Sequence, residues 1–204
     1  MQVNKGQAIL IAVCAAWALM IATGLGLLWA YENEPGPAAH APARWPADSN
    51  IDRATDRATL VLTAHPHCPC TRASIGELAK LMTQARGRVT AYVLFLKPEG
   101  YPDGWEKTDL WQSAADMPDV KVIVDERGAE ARRFRAMTSG QTALYDSEGE
   151  LLFSGGITGS RGHSGDNAGR SAIVSLLNVG EAERAETFVF GCPLFKSDSK
   201  CEEH

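Results

Sequence analysis

Between Ala8 and Ala30 the chain reads AILIAVCAAWALMIATGLGLLWA, 23 residues without one charged side chain. At ~1.5 Å of rise per residue, a helix over this run is about 35 Å long and crosses a hydrocarbon core of ~30 Å. We read it as a transmembrane helix. Lys5 and the N-terminal amine precede it, and Glu32 and Glu34 follow. The positive-inside tendency therefore puts the N-terminus in the cytoplasm and the remainder outside. A cleaved signal peptide is the competing reading, with small residues around Ala39 and Ala41 as a cleavage site, but signal h-regions run to only ~7–15 residues. Both readings send the bulk of the chain to an oxidising space in which disulfides persist. The expected location is a bacterial cytoplasmic membrane, single-pass, with the soluble domain on the periplasmic side.

The remainder is organised as one mid-sized domain with extensions. A formal net charge of -5 excludes a nucleic-acid groove, which needs clustered Lys and Arg. After an anchor over 1–31, residues 32–57 are rich in Pro and Ala without an apolar period, the composition of an extended linker, with Trp45 docking on the domain. Residues 58–180 alternate between two periods. ATLVLTA, VTAYVLFL and VKVIVD read as buried strands; TRASIGELAKLMTQA, EKTDLWQSAA and ERGAEARRFRAM read as helices between them. TALYDSEGELLFSGGI has the form of a hairpin turning at Ser147 to Gly149, and NAGRSAIVSLLN closes the domain as an amphipathic helix. This order predicts an α/β fold with a central mixed sheet covered on both faces. Residues 181–204 form a C-terminal tail containing Cys192.

Five cysteines are present: Cys14, Cys68, Cys70, Cys192 and Cys201. Cys14 lies within the apolar run and serves there as a small apolar residue. Cys192 and Cys201 in an exported tail are most simply a staple. Cys68 and Cys70 belong to His65-Pro66-His67-Cys68-Pro69-Cys70, where a buried strand passes into a helix. Unpaired backbone N–H groups and the positive end of the helix dipole favour a thiolate at such a position. The two prolines pre-order the turn, and His67 is placed to tune the thiol. A bond between Cys68 and Cys70 closes a small, strained ring, whereas Cys192 in FGCPLF follows the flexible stretch GEAERAE and is suited to fold back as a resolving arm.

A strand, then Cys and Pro at a helix start, then further strand, helix and closing hairpin resembles the thioredoxin-like superfamily, as in exported, membrane-tethered thiol-disulfide proteins. More narrowly, HPHCPCTRAS, LYDSEGELLFSGGIT, SRGHSGDNAGR and FGCPLF resemble the bacterial RedB-type proteins. The resemblance implies a thioredoxin-like sheet, partners that are protein thiols or disulfides outside the cytoplasm, and no resident cofactor. With the residues read above, the expected catalytic roles are Cys68 as the attacking thiolate, as Pro69 after it suggests by likeness to the family's nucleophiles, Cys70 or Cys192 as the resolving thiol, and His67 as the group that tunes the thiol. The chain departs from the superfamily at two points. Its Cys-Pro-Cys is one residue shorter than Cys-x-x-Cys, and Gln141 stands where the superfamily has a cis-proline that shapes substrate binding and discourages metal coordination.

That second departure gives weight to a metal reading. Cys68 and Cys70, with His65, His67 or His163, form a soft S/N donor set suited to copper(I) or zinc; the Cys-x-Cys spacing is tighter than standard zinc spacing and favours copper. The glycine-rich loop at 155–170 lacks P-loop and dinucleotide spacing, so its Asp166-Asn167 pair is read as a helix N-cap. On the fold assignment, Arg161 and His163 approach the cysteines. Three functions follow: thiol-disulfide exchange, copper(I) or zinc binding and delivery, and a redox-inactive interaction module.

Overall fold

A computed structural model describes residues 4–37 and 39–195. They fall into two units that divide between Glu34 and Pro35.

The first unit is helix α1, Lys5–Glu32. Asn4 caps it in a reciprocal box: the Gln7 N–H donates to Asn4 Oδ1 at 2.9 Å, and the Asn4 N–H donates to Gln7 Oε1 at 3.1 Å. No side chain of α1 is buried, and its length and composition suffice to cross a membrane. Within the run, the Thr23 hydroxyl returns to the Leu19 carbonyl at 2.9 Å, so this polar group is satisfied inside the helix.

The second unit is built on five strands: β1 (Ala58–Ala64), β2 (Val89–Lys97), β3 (Val120–Glu126), β4 (Gln141–Tyr145) and β5 (Leu151–Gly156). Their order is β3-β2-β1-β4-β5, with β1 parallel to β2, β2 parallel to β3, and β4 antiparallel to both β1 and β5. Helices α2 (Pro69–Gln84), α3 (Asp109–Ala115), α4 (Ala129–Arg133) and α5 (Ala168–Val179) connect and cover them. The expected mixed sheet with helices on its faces is present. Parallel strands need a crossover between them, and the alternation of strand and helix periods in the sequence records those crossovers.

The period-2 alternation along β1 sorts the core into two faces. Leu60, Leu62 and Ala64 point to a cluster with Ile75, Leu78 and Leu81 of α2, Leu110 and Ala114 of α3, and Ile173 of α5. Val61 points the other way, into a second cluster with Tyr92, Leu94, Phe134, Ala143 and Tyr145. Only α4, five residues long, lies in the crossover available to that second face. Its brevity has a local cause. Asp125 carboxylate oxygens accept from the Glu130 and Ala131 N–H groups at 2.8 and 2.9 Å, and Gly128 and Arg135 take positive φ values of 69° and 53° at its two ends.

The Pro/Ala-rich stretch supplies the missing cover. It is extended, as its composition requires, but residues 39–57 are laid on the domain instead of spanning free solvent. Ala41 and Ile51 are buried in the second cluster, and Trp45 packs edge-on against Phe134 and Tyr145 at 5.0 and 5.3 Å between ring centroids. Backbone bonds from Trp45 N–H to the Gly149 carbonyl (2.8 Å) and from Leu151 N–H to the Ala43 carbonyl (2.9 Å) fix it beside the hairpin.

Candidate functional site

The site forms where β1 ends and α2 begins. Cys68 is the N-cap of α2 with extended backbone (φ -89°, ψ 124°), and Pro69 is the first helical residue, where its missing N–H costs nothing. The Cys68 side chain makes no capping hydrogen bond. Its sulfur instead meets Cys192, with the two Sγ atoms 2.7 Å apart. This separation lies well inside ordinary non-bonded contact and somewhat beyond the ~2.05 Å of a disulfide. Cys70, in the first turn of α2, completes the group: the sulfurs of Cys68, Cys70 and Cys192 lie within 4.8 Å of one another.

The turn is held by hydroxyls that the sequence alone does not single out. Thr71 Oγ1 donates to the His65 carbonyl at 2.9 Å and contacts Ser139 Oγ at 2.8 Å, while the His65 N–H donates to Ser139 Oγ at 2.9 Å. Thr71 and Ser139 are buried. The only sequence signal for Thr71 is its place three residues after an N-cap; Ser139 carries none, since it lies 68 residues further on.

A second contact converges from the C-terminal tail. The Ser139 N–H donates to the Cys192 carbonyl at 2.9 Å, the Leu194 N–H donates to the Met137 carbonyl at 2.9 Å, and Thr138 bridges antiparallel to Pro193. Residues 191–195 thus lie as a short strap along the entry to β4. Leu194 is buried with Leu96, Ala131 and Ala136, and the Phe195 ring lies 3.8 Å beneath the Arg132 guanidinium. Arg161 donates to the Gly191 carbonyl at 2.6 Å, so the loop before α5 does reach the strap. Gln141, at the expected cis-proline position, uses its carboxamide to hold neighbouring chain, accepting from the Met137 N–H (3.2 Å) and donating to the Ala39 carbonyl (3.4 Å). No peptide bond among the described residues is cis.

The histidines are placed differently from the sulfurs. His65 Nδ1 accepts from the His67 N–H at 3.2 Å, and His67 Nε2 is 3.0 Å from the Trp105 carbonyl. The His65 ring meets Trp105 edge-on at 5.7 Å, the His67 ring is tilted against it at 4.5 Å, and Tyr101 packs on the same indole. His163 lies exposed in the loop before α5. Thus the structure gathers Cys68, Cys70 and Cys192, and the imidazoles of His65, His67 and His163 stand outside that cluster. Cys201 lies outside the described residues.

Electrostatics separates the three thiols. Burial pushes Cys68 up, but the hydrogen bond from Cys192 and the backbone N–H groups of Cys192, Cys70 and Thr71 outweigh it and leave Cys68 below its ordinary 9.0. Burial and the adjacent Cys68 sulfur raise Cys70. Burial and the same neighbour push Cys192 up to about 12, with Arg161 pulling modestly the other way. Of the two sulfurs in contact, Cys68 is therefore the more readily ionised and Cys192 the less. Burial lowers His65, with His67 contributing, so His65 is neutral.

These shifts fix the pH dependence of the reduced protein. Cys68 has a folded-state value below 9.0, so its thiolate stabilises the reduced fold fully above the unfolded value and loses that contribution as pH falls through the folded one. Cys192 acts oppositely: its contribution is complete below 9.0 and is lost as pH rises towards about 12. Thiolate absorbance of the reduced chain is expected to show a step below 9.0 that is missing in Cys68→Ser and displaced upward in Cys192→Ser. An unchanged titration in Cys68→Ser contradicts the assignment.

No family model matches the chain, and no curated protein matches it. Two solved structures share its fold: an uncharacterised conserved protein from Geobacillus kaustophilus (19% identity, 83% of this chain and 94% of that one, TM-score 0.58) and a hypothetical protein from Sinorhizobium meliloti (15% identity, 82% and 99%, TM-score 0.58). An exposed lipoprotein thioredoxin from Streptococcus pneumoniae matches more loosely, at 17% identity over 69% of this chain and 98% of that one, with a TM-score of 0.44.

Proposed function

We propose that this chain, which has the thioredoxin-like fold, is a membrane-anchored, extracytoplasmic protein of thiol-disulfide exchange. The observation that carries the reading is the 2.7 Å approach of Cys192 to Cys68 at the N-terminus of a long helix. A thiolate at a helix N-terminus is both a good nucleophile and a good leaving group, and a second thiol in contact lets a disulfide open and close within one chain. Helix α1 is the anchor, and the cysteines then work in an oxidising compartment on protein thiols or disulfides.

The test is equilibration of the full chain, in detergent, with glutathione couples of increasing oxidation, counting free thiols at each. Concerted loss of two thiols with Cys68 and Cys192 in one linked peptide is the expected result. Retention of all thiols until the strongest oxidant contradicts exchange.

One observation favours a second reading. Three cysteine sulfurs within 4.8 Å of one another make a soft donor set. It fits copper(I) better than zinc, because a closed zinc site takes four ligands and the described residues offer three. Copper(I) would be held by Cys68, Cys70 and Cys192 and carried as cargo. Anaerobic competition against a copper(I) chelator decides this: one copper per chain that is lost in Cys68→Ser supports it, and equal binding by that variant removes it.

A further inference from the structure

The three cysteine residues differ in exposure. Cys68 keeps 3% and Cys70 8% of its surface, whereas Cys192 is only half-buried. The strap sits over Cys68 and is secured on both sides of Cys192: Arg161 holds the Gly191 carbonyl, Ser139 holds the Cys192 carbonyl, and Leu194 is sunk between Leu96, Ala131 and Ala136. Gly191 passes so close to the Ser139 carbonyl oxygen that no Cβ fits between them. Of the two thiols in contact, the one at the helix N-terminus is thus the more enclosed.

We propose that Cys192, on the strap, is the sulfur at which partner thiols exchange, and that Cys68 beneath it is the internal leaving group. The proposal rests on the exchange reading above and assigns the order of its steps. A thiolate of a partner dithiol attacks Cys192 Sγ of the Cys68–Cys192 disulfide; a partner–Cys192 bond forms, the Cys68–Cys192 bond breaks, and Cys68 leaves as thiolate. The partner's second thiol loses its proton and attacks the first partner sulfur. The partner leaves as a disulfide, and Cys192 departs with the electron pair and takes up a proton. Two electrons pass from partner to chain. Cys68 is the N-cap residue of α2, and the positive end of that helix receives the leaving charge. A lower-pKa thiol leaves faster, so attack at Cys192 is favoured by chemistry as well as access.

The oxidised full chain in detergent, exposed briefly to reduced glutathione, quenched in acid and alkylated, is mapped by peptide mass spectrometry. The glutathione adduct is expected on Cys192 over Cys68 by at least roughly tenfold, with Cys68 recovered alkylated. An adduct mainly on Cys68 or Cys70 overturns the assignment and leaves exchange intact. An oxidised chain without a Cys68 disulfide, or one that yields no adduct, overturns both. Gly191→Ala pushes the strap off the Ser139 carbonyl without altering a thiol, and is expected to move the adduct towards Cys68. An unmoved adduct in a strap shown by amide exchange to be displaced also contradicts the assignment.

Discussion

Replacing Cys68 with serine is expected to reduce exchange with any dithiol or disulfide to the uncatalysed background. The variant loses the thiol held below its ordinary value and the sulfur that lies 2.7 Å from Cys192. A serine hydroxyl does not ionise in this range and forms no bond to sulfur, so neither half of the cycle runs. Cys70→Ser is the informative comparison. Cys70 is raised in pKa and sits in the group without making its closest contact, so this variant is expected to form the Cys68–Cys192 bond and to turn over. Loss of exchange in both variants to the same degree means that Cys70 is an obligatory member, and the two-cysteine account fails.

The largest effect on stability is expected at Glu77, on α2. Its carboxylate is fully buried and makes four contacts: Lys80 Nζ at 2.7 Å, the Gly165 N–H at 2.9 Å, Arg170 Nε at 3.1 Å and Asn167 Nδ2 at 3.2 Å. Asn167 is the N-cap of α5, and Gly165 belongs to the loop that carries Arg161 to the strap. Removing the carboxylate leaves the Arg170 guanidinium, whose side chain is 11% exposed, without its buried counterion. Breaking a buried pair in this way costs about 3–5 kcal/mol. For a domain of this size, Glu77→Ala therefore lowers Tm by roughly 6–20 °C. A shift under about 2 °C contradicts the keystone role, being the size of an ordinary surface substitution. Loosening of the loop also frees Gly191, so the variant is expected to expose Cys68 to alkylation.

Local chemistry was legible in the sequence where it acts over short distances. The uncharged run at 8–30, the strand-to-helix step at Cys68, the turn at Ser147 to Gly149 and the cap at Asn167 all announce themselves within a few residues. What joins distant stretches was not. FGCPLF suggests that Cys192 folds back to the first two cysteines, but the backbone pairing with residues 137–139 that brings it to Cys68 across 124 residues is marked by no periodicity. The His-Pro-His spacing suggests ligands, yet Trp105, 38 residues beyond His67, draws both rings into an aromatic cluster. Glu77 is the centre of a buried polar network whose partners Gly165, Asn167 and Arg170 lie 88 or more residues away. The Pro/Ala stretch reads as a spacer because its extended backbone is visible in composition, whereas the unfilled sheet face that captures Trp45 and Ile51 is a property of the assembled sheet.

Peptide mapping of the full chain, isolated anaerobically without reductant and with thiols trapped at lysis, tests the account most directly, provided that bound metal is measured on the same sample. The account predicts a linked Cys68–Cys192 peptide and no stoichiometric metal, with the link released by a dithiol. Free Cys68, Cys70 and Cys192 with one copper per chain contradicts it.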